Sequence, residues 1–306
     1  MKPIAVAFAC AGALALPLAC TPPAPPPPPP PHSAPAEPPP PPAALTSTAK
    51  DIALPGDANG LYWDAREHAL YLTDRDADAL VKWTDTGGLA KVAALPPAAK
   101  VDLGGITRLP DGTFVIASFG FGSDGAIITV APDGHVATVP NLDPKRRRIG
   151  VASTHEGAVY DVYFVVDGKQ HSGGVAKVDL GGVGETDLVT RGLGKPVGVA
   201  ATKDGVYVTD QEPAALFAVH GEQLQPIATG LDGADLLTAL PDGSLLTGGK
   251  AGAVVRIRLD GTHQQVAGGY QEVRGIAYDP DAKRLFVVDH AKGSGSRTIH
   301  VVPYAP

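Results

Sequence analysis

This 306-residue sequence predicts an all-β fold, a six-bladed β-propeller closed by its N-terminal strand, on three observations. First, a phrase headed by Gly60, Gly105, Gly150, Gly198, Leu236 and Gly275 recurs about every 43 residues, the length of one four-stranded propeller blade. Second, each copy passes through a turn into β-rich runs such as ALYLTD (69–74), TFVIAS (113–118), GVYVTD (205–210) and RLFVVD (284–289). Short strands parted by Asp-Gly turns at this spacing mark an all-β repeat protein. Third, only about 30 residues follow Gly275, room for three strands. The segment STAKDIALP (47–55) precedes the first inner strand and can supply the fourth by pairing with 297–303. An open solenoid or a sandwich would leave 47–55 unpartnered, whereas ring closure removes exposed sheet edges.

In chain order, residues 1–20 join a basic start at Lys2, an apolar stretch from Ile4 to Ala19, and Cys20. That layout is a secretion signal, outside the fold. LPLAC (16–20) resembles the lipobox of bacterial lipoproteins, with Pro17 where that motif usually has Leu. The resemblance implies lipidation at Cys20 and a place in the cell envelope; plain secretion is the alternative. Cys10 would leave with the signal, so the propeller, residues 47–306, would contain no cysteine and no thiolate chemistry. Residues 21–46 form a linker holding about half of the 31 prolines. Polyproline II is its natural state, and at ~3.1 Å per residue it reaches roughly 70 Å, a stalk. The rest is long enough to bury a core without metals or cross-links, and a monomer is expected.

The formal charge of −7 is spread along the chain, which excludes a nucleic-acid footprint. The basic run KRRR (145–148) reads as a solvated loop. No GxSxG, HExxH, CxxC or phosphate-binding glycine loop occurs. The nine histidines lack metal-ligand spacing, and His155, His171 and His220 read as loop or turn residues.

Strands alternate in direction within a blade, so the start of the innermost strand and the end of the second share a face. The residues just before the six heads, Asn59, Gly104, Ile149, Val197, Asp235 and Arg274, are therefore expected to ring one channel mouth. The second-strand ends Asp74, Ser118, Asp210 and Asp289 stand around them. Arg148 and Arg274 could hold a carboxylate or phosphate, or pair with nearby Asp residues. Asp74, Asp210 and Asp289 could face a ligand, or serve as turn residues after their strands. Asp235 is open in the same way between a site role and a strand cap. Loops after the second strand in blades two, three and six are rich in Gly and Ser, suited to a lid or a protein-binding rim.

NGLYWD (59–64) and DLLTALPDG (235–243) resemble the EGPxW-type opening and the DGxxxDxxG phrase of the senescence-marker-protein/gluconolactonase/luciferin-regenerating-enzyme family. The registers are more loosely similar to NHL-repeat propellers. The resemblance implies one divalent metal, Ca²⁺, Mg²⁺ or Zn²⁺, at the channel mouth, held in that family by Glu, two Asn and Asp. Asp235 keeps the Asp by register, Asn59 replaces the Glu, and Gly104, Ile149 or Val197 stand where the two Asn would be. Calcium takes six to eight oxygens, so this set implies weak binding centred on Asn59 and Asp235. It also implies lactone hydrolysis, with the metal polarising the carbonyl and an acidic side chain moving protons. Asp235 is one candidate for that acid; Asp232, in the displaced Asp-Gly dipeptide 232–233, is the other. The sequence thus points to a gluconolactonase-like propeller in the cell envelope, with membrane contact through its lipid anchor only. A small polar ligand or an envelope protein would bind at the mouth; a metal-dependent lactone or ester hydrolase is the alternative.

Overall fold

The computed structural model describes residues 51–96, 102–293 and 295–306. The expectations for the signal at 1–20, Cys20 and the linker 21–46 lie outside the described residues.

Six four-stranded antiparallel sheets follow one another along the chain as the blades of a propeller. Their innermost strands are Ala58–Asp64, Leu103–Arg108, Arg147–Ser153, Pro196–Thr202, Leu237–Ala239 and Val273–Asp279. Second strands such as Ala69–Asp74 and Phe114–Ser118 are buried at every position, because both faces of a blade press on its neighbours. They therefore read as continuous apolar runs rather than as alternating ones. Outer strands such as Gly88–Ala94 are mostly exposed.

The core is six separate clusters, one at each blade interface, rather than a single centre. Phe114 and Ile116 of blade 2 meet Tyr71 and Leu80 of blade 1 in one. Leu245 and Ile257 of blade 5 meet Tyr207 and Leu216 of blade 4 in another. At the seam between first and last blades, Leu61, Trp63, Leu70 and Leu72 pack on Phe286, Val288 and Ile299, with the Trp63 and Phe286 rings stacked at 5.3 Å.

Closure follows the expected scheme. Ile52–Ala53 pairs with the last strand, Gly295–Pro303, in the register Ile52↔Ile299 and Ala53↔Thr298. Beyond it the Leu54 amide donates to the Arg297 carbonyl at 2.9 Å, and Asp57 accepts from the Ser296 amide at 2.6 Å. Ile52 and Leu54 are buried in the seam cluster, so this short strand both completes a sheet and fills a core.

The reading of KRRR (145–148) as a solvated loop is overturned. Arg148 is completely buried and forks onto Glu185 at 2.7 and 2.8 Å while also pairing with Asp161. Arg146 forks onto Asp187 at 2.7 and 2.9 Å, with its guanidinium 3.8 Å from the Tyr163 ring centre. The run fastens the inner strand of blade 3 to its outer strand, Gly184–Leu193.

Deleting residues 45–55 should lower the melting temperature far more than deleting 21–44, because only the first opens the ring and strips the seam. Equal melting temperatures for the two truncations, read by circular dichroism, would show that the N-terminal strand does not close the fold.

Candidate functional site

Five of the six inner strands carry a register shift at the ring positions, between Ala58 and Leu61, Leu103 and Ile106, Arg148 and Val151, Pro196 and Gly198, and Val273 and Ile276. A bulge re-aims side chains at a strand end. Here the bulged residues Asn59, Gly104, Ile149, Val197 and Arg274, joined by Asp235, line one cavity of about 320 Å³ at the channel mouth. Around them stand Asp102, Leu103, Phe119, Lys195, Gln211, Lys250 and Glu272.

The second tier follows a rule of its own. Asp57, Asp102, Lys195 and Glu272 each lie two residues before a ring position, and the carbonyl of each accepts the amide of the residue after Asp74, Ser118, Asp210 or Asp289, namely Arg75, Phe119, Gln211 and His290, at 2.8–3.0 Å. Lys195, Glu272, Asp102 and Phe119 were missed by the sequence reading, although the same period that located the ring, extended by two residues, reaches the first three. Lys250 follows the short loop after the second strand of blade 5.

The predicted ligand-binding residues Asp74, Asp210 and Asp289 do not line the cavity. Their carboxylates are taken by loop amides: Asp74 by Asp57 and Ala77 at 3.2 and 3.1 Å, Asp210 by Gly194, Lys195 and Glu212 at 2.6–3.0 Å, and Asp289 by Gln271 and Glu272 at 2.9 and 3.3 Å. Each folds the loop that leads into its own blade's inner strand, the turn role open to such residues. Through those bonds Asp210 places Lys195, and Asp289 places Glu272. Arg148 is also corrected as a ligand residue, since its guanidinium is spent inside blade 3. Asp232 is exposed and outside the cavity lining, whereas Asp235 lines it. His171 lies within the strand Gln170–Asp179, against Glu212, and not in a loop.

Asp235 differs from the other aspartates. It is 8% exposed, and its carboxylate accepts one hydrogen bond, from the Leu236 amide at 2.9 Å. Burial, helped by Glu272, pushes its pKa up to about 6 against the pull of Arg274 and Lys195. Burial and the charge of Lys250 push Lys195 below the usual lysine range. Arg274 stands 3.7 Å from Glu272, and its Nε is buried without a hydrogen-bond partner. Asp102 leans on Arg75 at 3.3 Å.

The residues present do not fit a tight divalent-metal site. Asn59 commits its side-chain NH₂ to the Leu103 carbonyl at 2.9 Å, which leaves Oδ1, buried and without a hydrogen-bond partner, as its one available oxygen. Three cations, Lys195, Lys250 and Arg274, line the space a cation would occupy. Among the described residues no three His, Cys, Asp or Glu side chains converge on one point.

Fold and site define a six-bladed propeller with a charged pocket at one end of its axis. No protein-family model matches the chain, and no curated protein matches it in sequence. Solved structures do match. A gluconolactonase from Xanthomonas campestris is 17% identical with a TM-score of 0.64, covering 83% of this chain and 88% of its own. Regucalcin from Agrobacterium tumefaciens, a calcium-binding protein, is 17% identical with a TM-score of 0.63, covering 84% and 93%. Virginiamycin B lyase from Staphylococcus aureus is 12% identical with a TM-score of 0.58, covering 84% and 88%. At these identities the likeness is one of fold: a gluconolactonase-like propeller architecture.

The raised pKa of Asp235 sets a pH dependence. The unfolded carboxyl titrates near 3.9 and the folded one near 6, so the associated stability is full below pH 4 and is lost as pH rises through 6. Above that the folded protein carries a penalty of roughly 2–3 kcal/mol. Asp235→Asn should therefore gain stability relative to the parent between pH 4 and 7.5, measured by urea unfolding. A pH-independent difference would mean that the carboxylate is not held at a cost.

Proposed function

We propose that the protein binds a small polar ligand with an anionic group in the channel-mouth cavity, between Asp235, Arg274, Lys195 and Lys250. The observation that carries this reading is Asp235: a buried carboxylate with a single hydrogen bond that lines the cavity. Asp74 and Asp210, at the ends of second strands, accept two and three loop amides. A side chain kept at a cost in stability is the usual mark of a working site. Arg274 and the lysines beside it line the cavity and supply the donors that an anion would take.

Proton transfer to or from a lactone or ester is a second reading, favoured by the Asp235 pKa of about 6, close to what a general acid or base needs. The gluconolactonase among the structural neighbours is in keeping with it. No step of this reading is routed through a metal. One ring carboxylate and a committed amide support divalent binding no tighter than about 10⁻⁴–10⁻³ M. Calorimetry with Ca²⁺, Mg²⁺ and Zn²⁺ should find only such weak binding, lost in Asp235→Ala. Thermal-shift measurement with gluconate should show stabilisation that Arg274→Ala removes and Asp232→Asn leaves intact. Micromolar metal binding together with hydrolysis of glucono-δ-lactone would replace the binding role with the hydrolase.

We place the protein in the cell envelope, anchored by lipid on Cys20 and held off the membrane by the proline-rich linker. Ile52–Ala53 runs toward the mouth, antiparallel to the last strand. The cavity would take a small molecule or an envelope protein carrying an acidic group. Cys20→Ser should move the protein from the membrane to the soluble fraction, and Cys10→Ser should not. A Cys20→Ser protein still pelleting with membranes would make the apolar segment itself the anchor.

A further inference from the structure

The cavity at the mouth is two-sided. Lys195, Asp235, Lys250, Glu272 and Arg274 all belong to blades 4, 5 and 6. Across the axis, Leu103, Phe119 and Ile149 of blades 2 and 3 line it with apolar side chains and Val197 continues them, while Asp102 of blade 2, the charged lining residue on that side, is paired with Arg75.

The apolar side extends beyond the cavity. The Phe119 ring meets Phe121 edge-on at 4.8 Å and Phe164 at 5.8 Å. The Arg147 guanidinium lies 5.6 Å from the first ring and 5.8 Å from the last. Phe121 is 51% exposed, the one exposed aromatic ring among the large apolar side chains that reach solvent in the described residues. Its backbone sits at φ +48° between Gly120 and Gly122, a left-handed conformation that is costly for a bulky side chain. Phe121 does not itself line the cavity, but its exposed ring is packed on Phe119, which does. A ring so placed is one that a ligand would cover.

The ionic side is out of balance. Glu272 stands by Arg274 and Asp102 by Arg75, which leaves two lysines facing the Asp235 carboxylate. Lys195 and Lys250 have no ion pair among the described residues. Lys195 rests instead with Nζ 5.8 Å from the Phe164 ring centre, at the junction of the two sides. One bound negative charge would balance the pair.

We infer that the ligand is an organic acid with an apolar, preferably aromatic, body. Its carboxylate lies between Lys195, Lys250 and Arg274, and its body lies along Phe119, Leu103 and Ile149 under the Phe121 ring. A polyhydroxylated acid would satisfy the ionic side and leave the aromatic wall wet. This rests on the binding role proposed above and narrows it. Burying one aromatic face on that wall separates the two kinds of acid by about tenfold or more.

Calorimetric titration of the full-length chain with 3-phenylpropionate, gluconate and 3-phenylpropan-1-ol at pH 7.5 tests the inference. 3-Phenylpropionate should bind at least about tenfold tighter than either of the others. Phe121→Ser, a change at an exposed position, should weaken 3-phenylpropionate about three- to tenfold and leave gluconate unchanged, whereas Lys250→Ala should weaken both acids. Gluconate binding as tightly as 3-phenylpropionate, or no effect of Phe121→Ser, overturns the aromatic body while the polar-ligand reading stands. Absence of heat with both acids overturns the two together.

Discussion

The closeness of the inner strands around the axis governs the rest of this structure. A Cβ on Gly198 would meet the Asp235 carbonyl at 2.5 Å, and one on Gly60, Gly150 or Gly275 would run into the carbonyl of Gly104, Val197 or Asn59. In each case the obstructing carbonyl belongs to the ring residue of the next blade. Buried threonines tie the same joints: Thr73 takes the Gly60 amide at 3.0 Å and gives its hydroxyl to the Gly104 carbonyl at 3.1 Å. Thr209 does likewise between Gly198 and Asp235, at 2.9 Å on both sides. The head residues are thus glycine because backbone occupies the place of a side chain. The ring residues before them bulge toward the channel and are free to differ. Architecture and site occupy adjacent positions in one phrase, the first repeated and the second varied.

That division explains what could be read in the sequence. The blades, the ring and the closing strand were legible because each is enforced by a steric or hydrogen-bonding demand that recurs in every copy. Arg148 and Arg274 were not separable, since both lie at or beside the ring and only their partners distinguish them. Arg148 is taken by Glu185 and Asp161, on the fourth and second strands of blade 3, whereas Arg274 meets Glu272 loosely at 3.7 Å. Asp74, Asp210 and Asp289 pointed to a funnel of acidic groups for the same reason: a sequence shows a carboxylate, not the amides that consume it. Lys195 and Glu272 were recoverable from the period, two residues before the ring. Lys250 was not, because blade 5 is irregular there, with Leu236 as its head and inner and second strands of three residues each.

Charge is handled differently in the body of the blades and at the mouth. In blade 3, Arg146, Arg148, Asp161, Tyr163, Glu185 and Asp187 form a connected network, and burial pushes the Asp161 pKa up to about 6. Removing one member of such a buried set leaves the others unpaired, at a cost of about 3–5 kcal/mol. At the far face Arg284 ties Asp85 of blade 1 to Asp279 of blade 6, at 2.7–2.9 Å. It lies 5.0 Å from the Phe286 ring centre and reinforces the seam that closes the ring. These charges are satisfied by the protein itself.

At the mouth they are not, and this is the strongest physical reason to treat it as a site. Folding needs Asp74, Asp210 and Asp289 to hold the loops, and those residues show it by the number of amides they accept. Asp235 accepts one, the two lysines pair with no carboxylate among the described residues, and Arg274 keeps an unsatisfied Nε. A chain selected only for stability would replace such groups with the valine and isoleucine found at the neighbouring ring positions, Val197 and Ile149. The apolar half of the ring shows that the fold tolerates that replacement. Retention of Asp235 and Arg274 at the ring positions of blades 5 and 6, with Lys195 and Lys250 beside them, therefore reflects a demand from outside the fold, and the geometry of opposite charges across from an aromatic wall constrains what can meet it.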